Sequence, residues 1–396
     1  IDPRHRAARD GGRVPDLPKR YPGIPLHGQD QPAGLLELQS RDVGKPLVQV
    51  AMLLDTSSSM DGLISQAKNQ LWHIVNTFTS AEKGGNSPVI QVALYEYGND
   101  GLKSGEDFIR QVLPFTTDLD KVSEQLFSLK TNGGQEYCGS VIRDAVNGLQ
   151  WDKHLDVYKA IFIAGNEVFT QGPVEFPAAI AGAVKKGIVV NTIFCGPKQE
   201  GVQLLWKAGA EAGGGDFSNI DQEARVVEIQ APQDPEIRSL SARLNDTFIA
   251  YGKEGQKAQV RQAEADKAAA EAPAESGVAT QRAMAKASGQ YQGGATWDVV
   301  SSLESGKLKK AELRREDLPE PLQNMNEAER DSFIQEKAAQ RKDLQTKINR
   351  LSDERRKYVA QKEKELSVSG SAQTLGRSMI KTVRGQAARK GFKFKE

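Results

Sequence analysis

Leu47 to Met60 reads LVQVAMLLDTSSSM, and the fold turns on it. The first eight residues form a near-continuous apolar run of strand length. Such a run suits a strand covered on both faces, as in a parallel sheet with helices above and below. The run stops at Asp55, where a carboxylate and a series of hydroxyls follow within five residues. In a doubly wound α/β sheet, ligands gather at the carboxyl ends of the strands, and the loop after the first strand stands at that edge. Asp55, Ser57 and Ser59 alternate, so their oxygens can face one point together. Hard oxygen donors of this kind suit Mg²⁺, Mn²⁺ or Ca²⁺.

The flanking sequence supports that setting. Ile64, Ala67, Leu71, Ile74, Val75 and Phe78 recur at helical spacing, which predicts an amphipathic helix against a sheet. Strands are expected at Val89 to Tyr97, Phe108 to Phe115, Lys159 to Gly165 and Ile188 to Gly196, with a short last one at DFSNI. Helices are expected from Asp118 to Leu129, with Asp118 as N-cap, and over 140–149, 174–186 and 202–212. Alternating strands and helices imply a mostly parallel sheet covered on both faces.

Charge divides the 396 residues unevenly: Lys+Arg and Asp+Glu number 7 and 6 over 1–44, 14 and 20 over 45–222, and 32 and 26 over 223–396. A near-neutral total of +1 gives no reason to expect a nucleic-acid partner. Five segments follow from composition. Residues 1–44, rich in Pro, Gly, Arg and Asp, read as a disordered arm or linker, and 45–222 as the α/β domain. Residues 223–325 read as a helical connector, its Ala- and charge-rich 256–274 either a solvated helix or disordered. Over 326–369, Ile334, Arg341, Ile348 and Arg355 with Leu344, Leu351 and Tyr358 approach a heptad. That pattern allows a helical hairpin, a short coiled coil that could oligomerise the chain, or one solvated helix. Residues 370–396 form a basic tail, expected to be solvated or to meet an anionic surface.

The D-x-S-x-S loop after an apolar strand and before an amphipathic helix resembles the metal-ion-dependent adhesion site of von Willebrand factor A domains. The resemblance covers about Pro46 to Asp221 and implies a Rossmann-like sheet. It also implies a non-enzymatic module whose divalent ion is completed by an acidic residue of a partner protein. Two further family motifs are altered. Thr131 to Gly139 reads TNGGQEYCG, and aligning on the following helix puts Glu136 at the family's threonine, with Thr131 the alternative donor. Where the family commonly has Thr-Asp-Gly, this chain has AGNE, with Gly165 at the aspartate position and Asn166 and Glu167 just after. The expected ligand set is Asp55, Ser57, Ser59, Glu136, Asn166 and Glu167. The whole arrangement is similar to bacterial proteins exported to the envelope, which implies a periplasmic or secreted location. Because the chain starts at Ile1, a signal peptide has room upstream.

Other chemistry finds little support. Ser65 to Lys68 and Ser80 to Lys83 satisfy S-x-x-K without the companion motifs of penicillin-recognising enzymes. His73 and His154 have no second ligand at metal spacing. A metal-assisted hydrolase would need Glu136 or Glu167 as its base. Cys138 and Cys195 are expected near one rim, as a disulfide or as two buried thiols. No apolar run is long enough to span a bilayer.

Overall fold

The computed structural model describes residues 45–60, 64–220, 229–272, 277–288, 291, 297–368 and 375–394. The expected arm at 1–44, the composition change near 222 and the side chains of Ile64, Ala67 and Leu71 lie outside the described residues.

Strand β1 (Leu47–Asp55) is buried along all nine residues, as its apolar run requires. It lies between β2 (Val89–Tyr97) and β4 (Tyr158–Gly165) and runs parallel to both. With β3 (Ile109–Thr116), β5 (Val189–Cys195) and β6 (Gly214–Ile220), the order is β3-β2-β1-β4-β5-β6, and only β3 is antiparallel to its neighbour. This is the doubly wound, Rossmann-like order. The order in which successive strands are laid down reverses about β1, so the Asp55 loop stands at the switch point.

The period of two along β1 divides the core. Val48, Val50, Met52 and Leu54 face one side, with Trp72, Ile74, Val75 and Phe78 of α1 (Ile64–Thr79) and Val122 and Leu126 of α2 (Leu119–Ser128). Ala51 and Leu53 face the other, with Val141 and Ile142 of α3 (Cys138–Gly148), Ile180 of α4 (Phe176–Lys185) and Trp206. Asp118 caps α2 as expected, accepting from Lys121 N at 3.0 Å. The single helix expected over 202–212 is instead two, α5 (Lys198–Gln203) and α6 (Trp206–Ala212), because Leu205 between them takes φ 69°.

The helical part packs against the sheet domain, and Val43–Glu396 forms one compact unit. Its helices include α7 (Asp234–Asn245), α8 (Gly252–Glu271), α9 (Val278–Ala287), α10 (Val299–Glu304), α11 (Glu320–Gln323), the 42-residue α12 (Glu327–Val368) and α13 (Leu375–Ala388). Leu344, Ile348 and Leu351 of α12 pack on Ile237, Leu240 and Leu244 of α7 and on Ala283 of α9. The heptad-like seam is thus occupied within the chain. Its two arginines are buried in ion pairs: Arg341 with Asp298 at 2.6 Å, and Arg355 with Asp234 at 2.7 Å.

Two expectations are corrected here. Helix α8 is not solvated all round, since Ala258, Ala265 and Ala269 are buried. Small side chains let it approach closely without any marked hydropathy stripe. Nor is the basic tail solvated. Met379, Val383, Ala387 and Phe392 complete the first core, and Lys393–Phe394 pairs antiparallel with Ala81–Glu82. Lys381 is exposed on the outer face of this docked amphipathic helix, while Arg384 lies half-buried over the Phe394 ring.

Candidate metal centre

The Asp55 loop is built by its own side chains. Ser57 N donates to Asp55 Oδ1 at 2.7 Å, a turn in which the aspartate mimics a backbone acceptor. A short 3₁₀ turn over Ser58–Met60 follows, anchored by the fully buried Met60. Thr56 N donates to Tyr97 O at 2.9 Å, tying the loop to the end of β2. The second loop is clamped reciprocally: Ser58 N donates to Gly133 O at 2.6 Å, and Gly133 N to Ser58 Oγ at 2.8 Å. Gly134, at φ 153°, lets the same loop lie against the residue after β2, since a Cβ there would lie 1.6 Å from Gly98 O.

The structure brings five of the six expected residues together. Ser57 Oγ and Ser59 Oγ are 2.8 Å apart, and Ser59 Oγ donates to Asn166 Oδ1 at 3.0 Å. Glu136 is buried beside Asp55: a Cβ on Gly98 would stand 2.7 Å from Glu136 Cγ and 2.9 Å from Asp55 Oδ1. Gln171 Oε1 holds Glu136 by accepting from its backbone N at 2.6 Å. Glu167 is the exception. Its side chain is exposed on the rim, and its carbonyl accepts from Trp206 Nε1 at 2.7 Å. The second loop reaches Thr56 and Ser58 through Asn132 and Gly133.

Electrostatics mark the pair of acids. Burial pushes Asp55 up to about 7, opposed by the Ser57 hydrogen bonds and assisted by the charge of Glu167. Burial, then Asp55 and Glu167, push Glu136 up to about 8. Asp55 is fully buried, and its Oδ2 has no hydrogen-bond partner. An orphaned carboxylate oxygen in that position calls for a proton or a cation. Among the described residues no three His, Cys, Asp or Glu side chains converge on one point. The donor set is therefore one aspartate, two hydroxyls and a neighbouring glutamate, with Asn166 at its edge. Such oxygens fit a hard divalent cation that keeps several positions open.

Sequence reading missed Tyr97, Gly98 and Gln171. A side chain at position 165, where the family has aspartate, would meet Tyr97 Oη at 2.5 Å. That hydroxyl donates to Ala164 O at 3.0 Å, so a tyrosine occupies the room of the expected carboxylate. The one available signal was an aromatic residue at the carboxyl end of a strand beside β1. Cys138 and Cys195 are both buried free thiols, which resolves the open alternative against a disulfide, and burial pushes both thiols up.

A groove of about 780 Å³ opens next to Glu136, lined by residues including Phe108, Gln135, Tyr137 and Gln171. Asp107, Phe108 and Leu205 are the non-glycine residues with positive φ among those described, and all three border this end of the sheet. Backbone held in that region collects where function demands it.

No protein-family model matches the sequence, and no curated protein matches it. Among solved structures, the chain is similar to BatB, a conserved hypothetical protein from Bacteroides thetaiotaomicron, at 18% identity over 44% of this chain and 90% of that one, with a TM-score of 0.34. It is similar to the SpRpn10 VWA domain at 15% identity over 45% and 90%, with a TM-score of 0.33. It is also similar to proximal thread matrix protein 1 from the mussel byssus, described with a zinc-occupied MIDAS motif, at 17% identity and a TM-score of 0.34. That alignment covers 46% of this chain and 43% of the mussel protein, so the present chain spans less than half of it. The strand order and the place of the Asp55 loop give residues 47–220 the von Willebrand factor A fold. The zinc belongs to the mussel protein.

Proposed function

We propose that this chain is a non-enzymatic binding module that holds a protein partner through a divalent cation at the Asp55 rim. The observation that carries the reading is Asp55 itself, fully buried with Oδ2 unpartnered, beside the buried Glu136 and the paired Ser57 and Ser59 hydroxyls. Asp55, Ser57, Ser59 and Glu136 would hold the ion, with Asn166 ordering Ser59 and Glu167 setting the rim's charge. The ion, when bound, supplies a Lewis-acidic centre on which an oxygen of the partner can sit. The protein's part is to keep one side of that centre dry and the other open.

Calorimetry with Mg²⁺, Mn²⁺ and Ca²⁺ on the wild type and on Asp55→Ala tests the metal. Equal heats for both proteins would sink it. Retention of a native partner that is lost both with chelator and in Asp55→Ala tests the binding role. Turnover of ester, peptide or phosphate substrates by the metal-loaded wild type would favour a hydrolase instead. The envelope location rests on the sequence resemblance and is checked by fractionating the native cells. Among the described residues no helix is long and apolar enough to cross a membrane. A scaffold that oligomerises through α12 is less well supported, because Leu344, Ile348 and Leu351 are already covered within the chain.

A further inference from the structure

We propose that the end of the sheet opposite the Asp55 rim is a membrane-facing surface, on which Leu155 and Val184 enter the headgroup layer of an anionic bilayer while neighbouring basic side chains meet its phosphates. The proposal does not depend on the metal reading, because the two sites lie at opposite ends of the strands.

Strand register fixes the place. Val48, near the start of β1, pairs with Tyr158, and Ala160 of β4 pairs with Val189. The connections 149–157 and 186–188 therefore lie together at the amino ends of the strands, roughly 25 Å from Asp55 along β1. Of the large apolar side chains among the described residues, Leu155 is the most exposed, at 69%, and Val184 is 48% exposed. A Cβ on Gly187 would lie 3.4 Å from Leu155 Cδ2, and Gly187 N donates to Val184 O at 2.9 Å, so both border one turn.

The Leu155 loop is braced from below. Lys390 Nζ donates to Leu155 O at 2.7 Å, Lys83 Nζ to Asp156 O at 2.7 Å, and Lys159 Nζ to Asp152 O at 2.8 Å. Three lysines thus fix its backbone and bring positive charge beneath its tip. Lys153 on the loop, and Lys185 and Lys186 at the end of α4, are exposed beside it. The acids of the loop are engaged: Asp152 Oδ1 accepts from His154 N at 2.8 Å, and Asp156 meets Lys83 at 3.3 Å. Over 45–222 acids outnumber bases 20 to 14, so a lysine-rich end runs against the domain's composition. At the same end Phe394 pairs with Ala81, and Arg384 lies over the Phe394 ring with its Nε buried and without a hydrogen-bond partner. Burial and the like charge of Arg356 hold that guanidinium below its usual range, and an anion would offset both.

These features suit lipid better than protein. Lysine is depleted at the centre of protein interfaces, and two apolar side chains fall far short of the roughly 800 Å² that each partner buries in a stable complex. A short apolar tip ringed by bases combines the two weak signals that hold a peripheral surface on an anionic bilayer, insertion and attraction to the headgroups.

Cosedimentation of the full chain with vesicles of phosphatidylglycerol and phosphatidylcholine, compared with phosphatidylcholine alone, tests the proposal. The chain is expected to bind the anionic vesicles with chelator present and to be released at about 0.5 M salt. Leu155→Asp should weaken that binding about tenfold or more, and Lys153→Glu and Lys185→Glu about fivefold or more each. All three side chains are exposed, so the unfolding midpoints of the variants should stay close to that of the wild type. Absence of binding to anionic vesicles, equal binding to neutral ones, or undiminished binding by Leu155→Asp would overturn the proposal. So would a Leu155-dependent dimer seen by sedimentation velocity without lipid, which would make this face a contact between copies of the chain.

Discussion

Gly165 lies against Asp55 at the ends of adjacent parallel strands, so close that a Cβ at 165 would stand 3.1 Å from Asp55 Oδ2 and 2.5 Å from Tyr97 Oη. A carboxylate at position 165, where the resembled domains commonly carry one, is opposed sterically. The space it would need is held by a tyrosine hydroxyl.

Gly165→Asp, which places an aspartate where the resembled domains commonly have one, is therefore expected to destabilise the protein. Overpacking and an added buried charge together cost on the order of 2–4 kcal/mol. Urea unfolding measures it. Combining the change with Tyr97→Phe should recover part of the loss by removing the crowded oxygen. An unchanged unfolding midpoint for Gly165→Asp would show that β4 moves aside.

The raised carboxyls set a pH dependence. Asp55 at about 7 and Glu136 at about 8 in the folded chain both exceed the ordinary carboxylate range. Burying them protonated stabilises the fold fully below that range, and the stabilisation is lost as pH rises through about 7 to about 8. With chelator, the melting temperature should fall across this window. With Mg²⁺ present the fall should be largely abolished, so the gap between the two curves widens with pH. A gap constant from about pH 5 to about pH 8.5 would contradict the assignment.

Arg341 sits among Asp298, Thr247 and Ser301, buried on all sides. Arg341→Ala leaves Asp298 buried and uncompensated, at a cost of about 3–5 kcal/mol. Denaturant unfolding should register the loss. The heat of metal binding, measured under native conditions, should not change, because Arg341 belongs to the helical core and not to the rim.

Phe392 packs edge-on against Phe78, with ring centroids 5.9 Å apart. Phe392→Ala opens a cavity over α1 and should cost about 3 kcal/mol. Hydrogen exchange should then accelerate in α13 and in the strand pair Ala81–Glu82 with Lys393–Phe394, while β1 and β4 stay protected.

Much of the sheet was legible because β1 carries its burial on its face: nine residues with Gln49 as the one polar side chain before Asp55. That glutamine is satisfied by Gln91 and the Gln150 carbonyl. The Asp55 loop was legible because its spacing has a local cause, the turn closed by Asp55 Oδ1 and Ser57 N. Glu136 could be placed only by aligning on α3, and its partnership with Asp55 depends on Gly98, which carries no side chain to announce itself. The helical half was read least well. Arg282 and Lys286 look like the charged face of a solvated helix. In the fold they are buried, Arg282 against Asp120 and Asp266 and Lys286 against Asp266 and Asn245. Burial of a paired charge leaves no trace in hydropathy, because the partners come from elements far apart in sequence.

Helix α13 is latched to the sheet by Gln386, which accepts from Tyr158 Oη at 2.9 Å and donates to Asn191 Oδ1 at 2.6 Å. One layer of the α/β core is therefore finished by residues made long after its last strand. A polypeptide emerging from the ribosome holds Phe78 and Tyr158 without their cover until residues 379–394 have followed. The closure joins opposite ends of the described chain, and contacts so distant in sequence form late. During that interval the domain depends on whatever shields exposed apolar surface in the cell. A protease that trims those last turns acts on the core itself.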